Sequence, residues 1–290
     1  MEILRTVAAM QQHADAQRCA GKRLALVPTM GALHEGHLSL VSRARTLADH
    51  VTVSIFVNPT QFGPNEDFDA YPRTIDADLA KLDALGGVDA VFMPGVADMY
   101  PNTQAAHKAW VSVKDLDQHL CGAYRDGHFL GVTTVVTKLF NACRPHLGVF
   151  GLKDAQQFLI LRRMSHDLNM GIELVGVPTY RESDGLAASS RNVYLSDLQR
   201  SQAPALHAGL QLGKAAIEAG EQHPDAIKEL VANHINTNTD GEIQYIEVVD
   251  THDIQPVDTL TGQAEVLIAL AVYFGRTRLI DNVFVSVEQN

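Results

Sequence analysis

Paired cysteines are missing from this chain. Only three of its 290 residues are cysteine, and Cys19, Cys121 and Cys143 stand far apart with no Cys-x-x-Cys spacing. That excludes a disulfide framework, a cysteine zinc site and a dithiol redox pair, and it leaves thiols suited to burial in a reducing compartment. Basic charge is short as well: 23 Lys and Arg against 34 Asp and Glu give a formal charge of -11. A large nucleic-acid surface is thereby excluded, because such surfaces set many Lys and Arg against phosphates, whereas a local basic cluster for one nucleotide is not. No apolar run approaches the ~20 residues of a membrane span, and the N-terminus lacks a basic-then-apolar secretory pattern. The expectation is a cytoplasmic protein with neither a membrane nor a nucleic acid as partner. Internal repeats and low-complexity tracts are also lacking.

What is present is ordinary globular composition, 46% hydrophobic and 20% charged, in a chain long enough for two domains. The stretch Pro28-Thr-Met30-Gly31-Ala-Leu-His34-Glu-Gly36-His37 organises the reading. It follows the apolar run Leu24 to Val27, a buried strand, and leads into Leu38, Leu40, Val41 and Ala44 at helical spacing. Glycines at such a strand-to-helix turn admit close backbone approach, and the helix start favours an anion. A lone Gly-x-x-x-x-Gly reads more simply as a turn with two solvated histidines. The clustering of Pro, two Gly and two His favours a phosphate site.

Val51 to Val57 alternates as a second strand and ends in the loop Asn58 to Asn65. In an open parallel sheet, ligands sit beyond the carboxyl ends of the strands, which places the amides of Asn58 and Gln61 beside the first turn. Ile75, Leu79, Leu82 and Leu85 mark a helix, and Val88 to Met93 a third strand, completing a βαβαβ rhythm. Asp67, Asp69, Asp76 and Asp78 read as capping or solvated acids, with a magnesium contact as the minority alternative. Between Met99 and Asp126 the pattern weakens; a strand at Ala109 to Val113 and a short helix after Asp115 are predicted. The motif Gly127-His128-Phe-Leu-Gly131-Val132 opens a helix through Phe140.

Leu147 to Phe150 is a short strand followed by Gly151-Leu-Lys153-Asp154-Ala-Gln-Gln157 and a helix from Phe158 to Leu168. Lys153 suits a phosphate as a point charge, Gln157 a second ligand, and Asp154 either caps the helix or accepts from a ribose hydroxyl. After the strand Ile172 to Val177 comes Arg181 to Asn192, a loop of small residues. Its Ser189-Ser190-Arg191 cluster supplies two hydroxyls and a guanidinium suited to a polyphosphate. Beyond it, helical runs at 197–219 and 225–234 precede strands at 243–249, 266–272 and 279–285, the pattern of a small α+β domain with an antiparallel sheet. The boundary falls near Ser183, giving domains 1–182 and 183–290.

Five motifs in register, Pro28 to His37, Phe56 to Gly63, Gly127 to Val132, Gly151 to Asp154 with Gln157, and Asp184 to Asn192, closely resemble those of the pantoate–β-alanine ligases. They span the first two-thirds of the chain; the last hundred residues match only in general character. The resemblance implies an α/β fold: a Rossmann-like parallel-sheet domain of the nucleotidyltransferase type, with a smaller α+β domain acting as a lid, in a homodimer. It implies that ATP and pantoate, with magnesium, give pantoyl adenylate and pyrophosphate, and that β-alanine then displaces AMP to give pantothenate. Carried over by position, Met30, Gly31, His34, Gly36 and His37 belong to the ATP site, with His37 the proton donor. Gly151, Lys153 and Asp154 hold ribose and phosphate. Tyr180, Ala188, Ser189, Ser190 and Arg191 complete the ATP contacts, the last three at the triphosphate. Gln61 and Gln157 bind pantoate, with Asn58 nearby. His34, His37, Lys153 and Arg191 are the catalytic set; the metal ligands are not specified. Leu152 and Ala188 depart from positions that are often polar and larger, respectively, and predict altered packing.

That chemistry needs in-line positioning and neutralisation of charge on pyrophosphate, and no side-chain nucleophile. Rival readings are a sister nucleotidyltransferase with a phosphate-bearing acceptor, a nucleotide sensor without turnover, and a zinc module built on His34 and His37. The Gln61 and Gln157 pair suits an uncharged hydroxylated head better than a phosphate, and the zinc reading lacks a third ligand at metal spacing.

Overall fold

The computed structural model describes residues 1–64, 66–101 and 107–287; Asn65, at the end of the predicted loop, and part of the weakly patterned segment lie outside them. The chain divides into two compact units. The first comprises Met1–Lys114, Arg125–Leu152 and Ile160–Pro178, and the second comprises Asp115–Tyr124, Lys153–Leu159 and the chain from Thr179 onward.

In chain order the first unit carries β1 (Glu2–Leu4), α1 (Val7–Cys19), β2 (Leu24–Thr29), α2 (Glu35–Arg45), β3 (His50–Ile55), α3 (Ile75–Leu85), β4 (Ala90–Phe92) and α4 (Val96–Met99). After these come α5 (His128–Cys143), β5 (Leu147–Gly151), α6 (Ala155–Asp167) and β6 (Glu173–Val177). The first turn of α6 groups with the second unit and the rest with the first. Six parallel strands form one sheet in the order β1-β4-β3-β2-β5-β6. Every residue of β3 is buried, as expected of a parallel strand covered on both faces. Val27, Val53, Val91 and Val149 sit at the centre of this core with no exposure. Strand order reverses at β2, whose neighbours β3 and β5 lead to opposite edges. That is the position where open α/β sheets bind ligands.

The second unit contains α7 (Asp197–Gln202), α8 (Ala205–Glu218), α9 (Pro224–Asn238) and the antiparallel strands β7 (Glu242–Asp250), β8 (Glu265–Phe274) and β9 (Thr277–Ser286), paired in that order. Val231, Ile235, Ile268 and Leu270 form part of its core. A Cβ at Gly213 of α8 would lie 2.9 Å from Val231, so the glycine lets the two helices meet closely.

The parallel sheet and the separate antiparallel one agree with the predicted fold class. Three expectations fail. The run 197–219 is two helices rather than one, because Pro204 cannot donate the hydrogen bond that would continue α7 and instead precedes α8. No strand forms at Ala109 to Val113. The Val111 N–H donates to Thr134 Oγ1 at 3.0 Å and its carbonyl accepts from Thr133 Oγ1, so hydroxyls of α5 replace a strand partner. After Asp115 there are turns and a 3-10 turn at Gly122–Tyr124 instead of a helix.

Candidate functional site

The turn after β2 is built by backbone geometry. Gly31 and Ala32 adopt positive φ of 83° and 50°, and a Cβ at Gly31 would crowd Asp78 and Ile55 at 3.1 and 3.2 Å. Asp78, from α3, is completely buried. Its Oδ2 accepts the Ala32 N–H at 2.9 Å and its Oδ1 the Leu33 N–H at 2.8 Å. Thr74 Oγ1 donates to the same carboxylate at 3.2 Å, and Lys81 Nζ donates to the Leu33 carbonyl. A solvated or capping role for Asp78 is therefore corrected: it is the buried brace of the motif.

His34 caps α2. Its Nδ1 accepts the Gly36 N–H at 3.2 Å, while His37 Nδ1 accepts the His34 N–H at 3.3 Å, and the ring centroids are 4.1 Å apart. A nitrogen that accepts carries no proton, so in both rings Nε2 is the N–H side. Two imidazole donors thus stand at a helix N-terminus, where the backbone dipoles also favour negative charge.

Beyond β3, the 3-10 turn Pro59–Gln61 presents Gln61. Gln61 Oε1 accepts from Asn58 Nδ2 at 3.1 Å and its Nε2 lies 3.2 Å from Met30 Sδ, so this loop and the first turn meet. Asn58 is 1% exposed. Its Oδ1 accepts from Thr60 Oγ1 and Tyr100 Oη, both at 2.9 Å, and its Nδ2 also reaches the Gly131 carbonyl at 3.2 Å. These bonds make Asn58 a brace for the loop. Burial raises the Tyr100 phenol above its ordinary 10.0, against the opposing Thr60 hydrogen bond. Gly151 ends β5, next to β2. Met30, Gly31, His34, Gly36, His37, Asn58, Gln61 and Gly151 consequently gather at the carboxyl ends of three neighbouring strands of the first unit.

The remaining residues belong to the second unit. The Lys153 carbonyl accepts from Asn282 Nδ2 at 2.8 Å; Asp154 is exposed, and Gln157 lies on the first turn of α6. The small-residue loop is a hydrogen-bonded hairpin. Ala188 donates to the Tyr180 carbonyl at 2.9 Å, Glu182 donates to the Leu186 carbonyl at 2.8 Å, and Gly185 turns with a φ of 94°. Arg181 forks onto buried Asp281 at 2.7 and 2.9 Å, and Arg200 bonds both Asp184 and Glu182. The Arg200 hydrogen bond leads the causes that hold the Asp184 carboxyl below its ordinary 3.8. Ser189 Oγ accepts the Arg191 N–H at 3.2 Å and opens the 3-10 turn Ser190–Tyr194.

The sequence model of the pantoate-beta-alanine ligases matches residues 2–284. The chain belongs to the pantoate–β-alanine ligase family. The pantothenate synthetase of Salinibacter ruber is 58% identical over 291 residues, covering 99% of this chain and 98% of that protein. The Moorella thermoacetica pantothenate synthetase is 50% identical, covering 99% of each. Among solved structures, a pantothenate synthetase from Thermus thermophilus superposes with a TM-score of 0.88 at 39% identity over 98% of this chain and 99% of that one. A pantoate-beta-alanine ligase from Francisella tularensis, complexed with beta-gamma ATP and beta-alanine, does so with 0.79 at 32% identity over 98% and 97%. Pantoate–β-alanine ligases are carbon–nitrogen ligases: ATP and pantoate give pantoyl adenylate and pyrophosphate, and β-alanine then releases AMP to give pantothenate.

Among the described residues of the chain, no three His, Cys, Asp or Glu side chains cluster suitably for a metal ion. Both Asp78 oxygens are already committed to backbone N–H groups. No helix among the described residues is long and apolar enough to cross a membrane. Sequence reasoning missed Asp78, Asn282 and the groups behind Gln61. Asp78 left a signal, since 75, 78, 82 and 85 share one helical face and an acid on that apolar stripe requires a buried partner.

Proposed function

We propose that this chain carries out the family's reaction with the roles that follow. His34 and His37 donate through Nε2 to ATP phosphate oxygens, and His37 supplies the proton as the leaving group departs. Met30, Gly31 and Gly36 line the nucleotide, Gly151 and Asp154 take the ribose, and Tyr180 and Ala188 complete its contacts. Lys153, Ser189, Ser190 and Arg191 neutralise the triphosphate. Gln61 and Gln157 hold pantoate, with Asn58 supporting Gln61.

In the first step the pantoate carboxylate attacks the α-phosphorus, a P–O bond forms, and pyrophosphate leaves with the electrons of the broken P–O bond. In the second, the β-alanine amine attacks the acyl carbon, a C–N bond forms and the C–O bond breaks, AMP departs with that electron pair, and the proton lost from the amine passes to solvent. Magnesium enters as part of the MgATP substrate, which suits a cation that prefers phosphate oxygens and water to an all-protein cage. Residues 1–182 are assigned to ATP and pantoate binding and residues 183–290 to the lid domain. We assign the chain to the cytoplasm, which accords with three free cysteines, and to a homodimer, which light scattering would test.

The observation that carries the reading is the paired capping of α2, because it fixes two N–H donors at an anion-favouring helix start. The test is ATP–pyrophosphate exchange with and without pantoate, followed by AMP release on addition of β-alanine. Exchange that ignores pantoate overturns it.

A further inference from the structure

The motif Gly127 to Val132 matches the family, yet none of its residues has a role in the reaction as assigned above. We propose that His128 is a positioning residue that fixes Gln61, and with it the pantoate subsite, through the Gln61 backbone. This rests on the reading that Gln61 binds pantoate.

His128 opens α5 after Gly127, which turns the chain with a φ of 71°. The ring is 8% exposed. Its Nε2 lies 2.9 Å from Arg125 Nη1, and its Nδ1 lies 2.8 Å from the Gln61 carbonyl oxygen. A guanidinium only donates, so Nε2 accepts; the ring is then neutral with its proton on Nδ1, and that N–H donates to Gln61. Arg125 is itself held by a fork onto Glu66 at 2.7 and 2.6 Å. Burial opposes ionisation of Glu66, but Arg125 outweighs it and keeps the carboxyl below its ordinary 4.5.

Glu66 lies five residues beyond Gln61 on the same loop. The circuit Gln61–His128–Arg125–Glu66 therefore clamps both ends of that loop to the start of α5. One turn further on, a Cβ at Gly131 would stand 2.4 Å from the Thr60 carbonyl oxygen and 2.7 Å from Gln61 N. The loop backbone is pressed against the helix, and only glycine allows it. With the Gln61 carbonyl held, its Cα–Cβ direction is set, and Asn58 and Met30 then orient the amide. Positioning errors of this kind act on the substrate they seat and spare the others.

The test is a steady-state series at saturating β-alanine, varying pantoate and then ATP. His128→Ala removes both hydrogen bonds and is expected to raise the pantoate KM about tenfold, the scale of one lost buried hydrogen bond, with the ATP KM unchanged. His128→Asn places an N–H where Nδ1 stands and restores most of the loss. His128→Gln carries its amide only at the Nε2 position and does not. Equal behaviour of Asn and Gln, or a parallel rise in the ATP KM, overturns the proposal. Should His128→Ala fail to fold, the Asn and Gln pair carries the comparison. Gln61→Ala is measured alongside. If it raises the pantoate KM and His128→Ala does not, the positioning role alone fails. If Gln61→Ala leaves that KM unchanged, the pantoate reading fails and the positioning role falls with it.

Discussion

Asp78 and Leu33, 45 residues apart in the chain, are joined by a 2.8 Å hydrogen bond from the Leu33 N–H to a carboxylate that no solvent reaches. The second oxygen takes the Ala32 N–H, so one side chain satisfies two backbone donors in the turn that precedes both histidines.

Asp78→Ala should therefore destabilise the fold by about 3 kcal/mol, because two buried N–H groups lose their acceptor. Asp78→Asn keeps one acceptor but sets an amide N–H against a backbone N–H. It should fall between wild type and alanine in urea unfolding, with pyrophosphate exchange reduced in both variants.

His37→Ala should slow pyrophosphate exchange by about a hundredfold or more. His34→Ala should lose a similar activity and also about 1 kcal/mol of stability, since its Nδ1 caps α2. Exchange rates beside urea midpoints separate the two effects, and near wild-type exchange in either variant removes that residue from the phosphates.

Lys153→Ala should lower exchange by about a hundredfold without moving the melting temperature, because its proposed contribution is charge at the triphosphate. A clear loss of stability would instead give Lys153 a structural role.

Gly131→Ala sets two effects against each other. Alanine within a helix gains up to ~1 kcal/mol over glycine. Here its methyl would meet backbone of the neighbouring loop at 2.4 Å, and overpacking of that kind costs about 1–3 kcal/mol. The clash wins, so the variant should unfold at lower urea and show a raised pantoate KM.

Stability should fall as pH is lowered from 7 toward 5. Burial, ahead of any nearby charge, depresses the pKa of both His50 and His146 below 6.5, and His146 Nδ1 accepts the Leu24 N–H in the neutral form. The unfolded chain then binds protons before the folded one does. Their contribution is fully present above 6.5 and lost as pH falls through the depressed folded values. Urea midpoints between pH 7 and 5 should show a shallower slope in His146→Gln.

Local patterns carried the strands and most helices, because buried parallel strands write themselves as apolar β-branched runs such as those around Val27 and Val53. They failed at Ala109 to Val113, read as a strand, because the partners of Val111 are hydroxyls on α5 that no local rule reveals. The histidines of the first turn were legible from spacing at a helix start. The braces of the first turn and of the Gln61 loop were not: Asp78 and Glu66 reach targets brought near only by tertiary folding. Asp78 still betrayed itself as an acid on an apolar face, and His128 likewise sits in line with Val132, Val135 and Leu139 on the buried side of α5.

The capping of α2 has a further consequence. An imidazole in solution exchanges between two tautomers and can turn its ring over. At His34 and His37 the start of the helix has already made that selection, by occupying one nitrogen of each ring with a backbone N–H. The rotational and tautomeric freedom is surrendered during folding rather than at each turnover. With the roles proposed for His34 and His37, an incoming triphosphate would meet proton vectors that need no rearrangement, and a replacement side chain must offer a lone pair at its near end and an N–H at its far end to do the same.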